Sequence, residues 1–102
     1  HDPRIRVELA GFLHEVGRDR EAPGEIEKAL TEEPHYLTAR LLESRLLLEQ
    51  GREGEARASW GAVQEARRIL SSYRPDSSYA ADITRDPAPL REALERQLAA
   101  RH

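Results

Sequence analysis

The sequence predicts an all-α protein: an antiparallel helix-hairpin array with a C-terminal capping helix. Three observations predict it. Apolar residues recur at three- and four-residue spacing over long stretches, the period of one helix face. Glycine and proline fall between those stretches, where helices stop and start. The chain also matches itself at a shift of 34 residues: Leu13 falls on Leu47, Gly17 on Gly51, Ala22 on Ala56 and Ala29 on Val63. A period of that length marks stacked helical units rather than one irregular domain.

The first helix is expected from Pro3 to Val16. Asp2 can accept from free backbone N–H groups, and Pro3 suits the first helical position. Ile5, Leu9, Phe12, Leu13 and Val16 recur at helical spacing, and Gly17 ends the helix in a left-handed turn. Pro23 and Gly24 delay the second helix, expected from Pro23 to Glu33, and leave Ala22 outside it. Ile26, Ala29 and Leu30 form its inner face, and Pro34 stops it. The third helix, His35 to Gln50, carries Leu37, Leu41, Leu42, Leu46, Leu47 and Leu48 on more than one side. An apolar arc wider than the usual stripe predicts a central helix covered on both flanks. Gly51 caps it. The fourth helix runs from Arg52 to Ser72 with Ala56, Trp60, Val63, Ile69 and Leu70 inward. Residues 71–87 are read as a connecting loop without a clear period. The last helix, Ala88 to Ala100, places Leu90, Leu94 and Leu98 four apart on one side, as a cover for the last hairpin requires. The organisation expected is therefore residues 1–70 as two hairpins, 71–87 as connection and 88–102 as cap.

Composition sets limits on function. The chain has 102 residues, one small domain's worth, with a thin core of Leu and Ala because only one Phe and one Trp are present. A net charge of -3 gives no basic excess for a nucleic-acid partner. Without cysteine, neither disulfides nor thiolate zinc sites can form. No apolar run approaches a membrane span, and no signal peptide is visible. The chain begins at His1 and contains no methionine, which points to a processed form or an excised piece; a soluble chain is expected, with cytoplasm and periplasm both open.

Two groups of residues carry a family resemblance. Leu9, Ala10, Leu13, Gly17, Ala22, Ile26, Ala29, Leu30 and Pro34 resemble one tetratricopeptide (TPR) repeat, and Ser44, Leu47, Gly51, Ala56, Trp60 and Val63 resemble the next. The match covers about residues 3–70. Glu43, where such repeats have a leucine, and Arg68, where the closing proline would stand, depart from the pattern. The resemblance implies two TPR-like repeats and a concave groove, lined by the first helix of each repeat, that grips partner peptides. Carried over, the groove positions are Arg4, Val7, Gly11, His14 and Glu15, with Thr38, Leu41, Arg45, Leu48 and Glu49. Val7, Gly11, Leu41 and Arg45 replace the Lys and Asn of the carboxylate-clamp type, which speaks against chaperone-tail binding. What remains is an apolar strip of Val7, Leu41 and Leu48 edged by Arg4 and Arg45, suited to an apolar segment with an acidic group.

Each of these readings has a plainer rival. The groove leucines can instead pack against the C-terminal segment or a neighbouring repeat. His14 and His35 lack an i, i+4 partner and read as surface or groove histidines rather than metal ligands. Trp60 reads as core packing rather than a stacking platform. Asp82, Asp86 and Glu92 form no evident carboxylate pair, and turn and cap roles explain the first two. No phosphate loop, nucleophile elbow or metal motif appears. The sequence thus predicts a non-catalytic protein–protein interaction module without a cofactor. Its expected partner is a protein or peptide segment, with a homodimer also open. The alternative is an accessory or oligomerisation domain of a larger enzyme, its groove filled by its own chain or a sister subunit.

Overall fold

The computed structural model describes residues 2–101; His1 and His102, the ends of the first and last expected regions, lie outside the described residues. The described residues form α1 (Pro3–Glu15), α2 (Ala22–Glu32), α3 (Leu37–Glu49), α4 (Glu53–Leu70), α5 (Ser78–Thr84) and α6 (Ala88–Ala99), with no strand among them. α1 pairs with α2 and α3 with α4 as two hairpins, and α2 meets α3 between them. The protein is an all-α helix-hairpin arrangement.

Local chemistry accounts for the turns. The Asp2 carboxylate accepts from the Arg4 backbone N–H at 2.9 Å, and Pro3 occupies the first turn of α1. Gly17 and Gly51 sit at φ +80° and +78°, where a side chain would be strained. The helices before them close alike: Arg18 N–H donates to the Leu13 carbonyl at 2.7 Å, and Arg52 N–H to the Leu47 carbonyl at 2.9 Å. α2 begins one residue earlier than expected. Pro23 lies within its first turn, where a missing N–H matters least, so Ala22 belongs to the helix and is fully buried.

α3 is the central helix. Ala39 and Leu46 face a first core with Val7, Ala10, Leu13, Ala22, Ile26 and Ala29, while Leu37, Leu41 and Leu48 face a second with Ala56, Val63, Ala66, Leu94 and Leu98. Between α3 and α4 the buried Ser44 donates to Ser59 at 2.8 Å, and Ser59 donates to Glu43 at 2.6 Å. Glu43 therefore serves as an acceptor between the two helices. Trp60 is half-buried against the second core. α6 lies on α3 and supplies Leu94 and Leu98, and Arg57 of α4 donates to the Leu98 carbonyl at 3.1 Å.

Three expectations need correction. Of the apolar residues read for α1, only Leu13 is buried; Ile5, Leu9, Phe12 and Val16 are 65, 42, 58 and 51% exposed. Pro3, Val7, Ala10 and Leu13 form the inner face instead, because Ala10 meets Ala22 and Ala29 in the same core, where small residues let helices approach closely. Ile69, expected inward, is exposed near the end of α4. The stretch read as a loop contains α5. Its N-cap Ser77 accepts from the Ala80 N–H at 3.0 Å, and Ile83 is buried in the first core.

Candidate functional site

α5 packs on α3 beside α1, where the expected groove would run. Arg4 grips Asp2 through Nε at 3.0 Å and Nη2 at 2.6 Å, and reaches Asp82 of α5 through Nη1 at 2.8 Å. Its guanidinium also stands over the Tyr79 ring, 5.0 Å from the centroid. Tyr79 donates to Glu33 at 3.3 Å. Hydrogen bonds from Asp2 first and Asp82 second raise the Arg4 pKa still further, and the Arg4 side chain holds the Asp2 carboxyl below its ordinary value. Ile83 packs in the same core as Val7 and Tyr36.

Beside α5 a cleft of about 260 Å³ remains, lined by Arg4, Val7, Glu8, Tyr36, Thr38, Asp82 and Arg85. Its polar groups are unevenly satisfied. The Thr38 hydroxyl oxygen is buried without a hydrogen-bond partner among the described residues, and Arg85 forms no ion pair among them. Burial, followed by the charges of Asp2 and Asp82, pushes the Tyr36 phenol up. The cleft thus offers the Arg85 cation, the carboxylate of Glu8, hydroxyls and an apolar floor. Nothing in it resembles a nucleophile beside a base.

At the opposite ends of α1 and α3 polar side chains pair with one another. His14 Nδ1 lies 2.8 Å from Asp19 and its Nε2 3.4 Å from Glu49, while Arg45 Nε donates to Glu49 at 3.1 Å. Arg45 and Glu49 are an i, i+4 pair on the surface of α3.

The structure therefore separates the predicted groove residues. Arg4, Val7 and Thr38 converge on the cleft, whereas His14, Arg45 and Glu49 cluster at the opposite ends of α1 and α3. Leu41 and Leu48 correct the expected apolar strip. They are buried against Leu94 and Leu98 of α6, since their side of α3 faces the second core. Val7 is likewise buried, as the floor of the cleft rather than an exposed contact. Asp82 and Asp86 do not converge: Asp82 holds Arg4, and Asp86 accepts from Arg91 at 3.0 Å. No family model, curated protein or solved structure matches this chain. No helix of the described residues is long and apolar enough to cross a membrane.

Glu8, Tyr36, Asp82 and Arg85 were not among the predicted site residues. The last two come from α5 and its C-cap, and the signal for that helix was short: a Ser77 N-cap before Tyr79, Ala80 and Ala81.

A second hollow, of about 320 Å³, opens between the hairpins over Ile26, Leu46 and Leu47, rimmed by Glu27, Glu43, Gln50, Arg52 and Glu55. Its charged groups largely serve the fold. Glu43 accepts from Ser59, and Arg52 pairs with Glu55.

Proposed function

We propose that this chain is a non-catalytic protein–protein interaction module of two TPR-like hairpins, whose concave face takes a segment bearing an aliphatic side chain next to an acidic group. The observation that carries this reading is α5. The chain's own Ile83 and Asp82, one buried beside Val7 and Tyr36 and the other bonded to Arg4, have the chemistry expected of such a segment. The adjoining cleft leaves Arg85 and the Thr38 hydroxyl for a further acceptor. The alike closures at Gly17 and Gly51, and the full burial of both Ala22 and Ala56, support the repeat assignment.

The same observation favours a second reading. A face filled by the chain's own helix suits an accessory domain of a larger enzyme, with α5 as a permanent occupant. Panning a random peptide display library on the wild-type chain and on a Asp82→Ala/Ile83→Ser variant separates the two. The interaction reading expects enriched peptides with paired aliphatic and acidic residues, captured more strongly once α5 is released. No enrichment on either protein, with circular dichroism reporting intact helices, contradicts it and favours the accessory-domain reading.

A further inference from the structure

The outer face of α1 carries an apolar stripe that no element of the described residues covers. Ile5, Leu9, Phe12 and Val16 are each about half exposed or more, at successive spacings of four, three and four residues. That is the a/d spacing with which one helix receives another along a seam. Side chains of this size and exposure amount to on the order of 400 Å² of apolar surface, comparable with the largest patch on a typical monomer. It also matches the apolar share of one side of a standard interface, about 800 Å² of which roughly 57% is non-polar.

The edges of the stripe select the partner. Glu8 and Glu15 run along one edge, and neither forms an ion pair among the described residues. Along the other edge Arg6 is held by Glu25 at 3.1 Å and by Glu32 at 3.6 Å, with Lys28 beside Glu25 at 3.8 Å. Along these two edges the unpaired charge is therefore acidic. We propose that this face docks an amphipathic helix of a partner protein, one with aliphatic residues at three- and four-residue spacing and Lys or Arg along the edge that meets Glu8 and Glu15. A second copy of this chain fits less well. Antiparallel pairing of two α1 helices sets the Glu8 and Glu15 edges of both copies against each other, and like charges facing across a seam disfavour that mate. Parallel pairing brings those glutamates to an edge where Arg6 is already engaged. This surface adjoins the cleft along one edge, where Glu8 also lines it, but its apolar stripe does not rest on the reading given above.

The test uses the whole chain and two fluorescent synthetic helical peptides with the same leucine stripe, one flanked by lysines and one by glutamates. Fluorescence anisotropy should report saturable one-to-one binding of the lysine peptide, and binding of the glutamate peptide at least about tenfold weaker. Leu9→Ser/Phe12→Ser should weaken the lysine peptide roughly 30-fold or more, as loss of central apolar anchors does. Glu8→Lys/Glu15→Lys should reverse the preference between the peptides. Ile69→Ser, which alters an exposed apolar residue on α4, should change neither, and circular dichroism checks that each variant is folded. Equal binding of both peptides, or full binding by the folded Leu9→Ser/Phe12→Ser variant, overturns the proposal. Sedimentation of the wild-type chain as a dimer that Phe12→Ser dissolves also overturns it, in favour of a second copy.

Discussion

The two ends of the array are built differently. α6 closes one end with a single stripe: Leu94 and Leu98 are buried, while Glu92, Glu95, Arg96 and Gln97 face outward. α1, at the other end, has two stripes. Pro3, Val7, Ala10 and Leu13 serve the core, and Ile5, Leu9, Phe12 and Val16 face outward. A helix with one apolar face finishes a stack, whereas a helix apolar on two faces is suited to an interior position. α6 thus covers one end of the helices, while the outer face of α1 is uncovered among the described residues.

Removing the cap should have the largest effect. Without residues 87–102, Leu37, Leu41, Leu48 and Val63 lose their cover from Leu94 and Leu98. The truncated chain is expected to aggregate or lose helicity in size-exclusion chromatography and circular dichroism. A monomer as helical as the full chain would show that α6 is not a cap.

Next come the close approaches inside each hairpin. Ala22 and Ala56 are fully buried. Ala56→Leu should destabilise by about 1–3 kcal/mol through overpacking, and Ala22→Leu by a similar amount. Denaturation midpoints unchanged from wild type would mean that the hairpins are looser than drawn.

Smaller still is the strap that holds α5. Asp82→Ala removes a half-exposed ion pair with Arg4, which solvent screening leaves with little weight in global stability. Its readout is local: hydrogen exchange at Ala80–Thr84 should quicken while α3 is unchanged.

The smallest effect concerns pH. Arg4 depresses the folded-state pKa of Asp2, so the stabilisation is present above the ordinary value of 3.8 and is lost as pH falls through the depressed one. Asp2→Asn keeps a capping acceptor but removes the charge, and should flatten that part of the acid-unfolding curve. An identical acid limb in both proteins would count against the Arg4 bond as its cause.

Much of this fold was legible in the sequence, and for definite reasons. α3 announced itself as central because its leucines occupy both sides, and α6 as a cover because its leucines keep to one. The closing turns were visible in Gly17 and Gly51. The face of α1 was not, because counting large apolar residues selects Ile5, Leu9 and Phe12, whereas packing selected the small Ala10 that fits against Ala22 and Ala29. α5 was missed because seven residues are too few for a period, and its docking rests on long-range partners such as Arg4 and Glu33. Of the groove, Arg4, Val7 and Thr38 were placed on the cleft by repeat position. Leu41 and Leu48 were assigned to the groove by the same rule but are buried, since the docked α6 covers their side of α3.

The contrast between the ends is tested most directly by one matched pair, Phe12→Ser on α1 and Leu94→Ser on α6, compared by chemical denaturation. Phe12 is exposed and Leu94 is buried. Phe12→Ser should leave the stability within about 0.5 kcal/mol of wild type, and Leu94→Ser should lower it by about 2–5 kcal/mol. Equal losses for the two variants would contradict the account, because the outer face of α1 would then be as covered in the isolated chain as the inner face of α6.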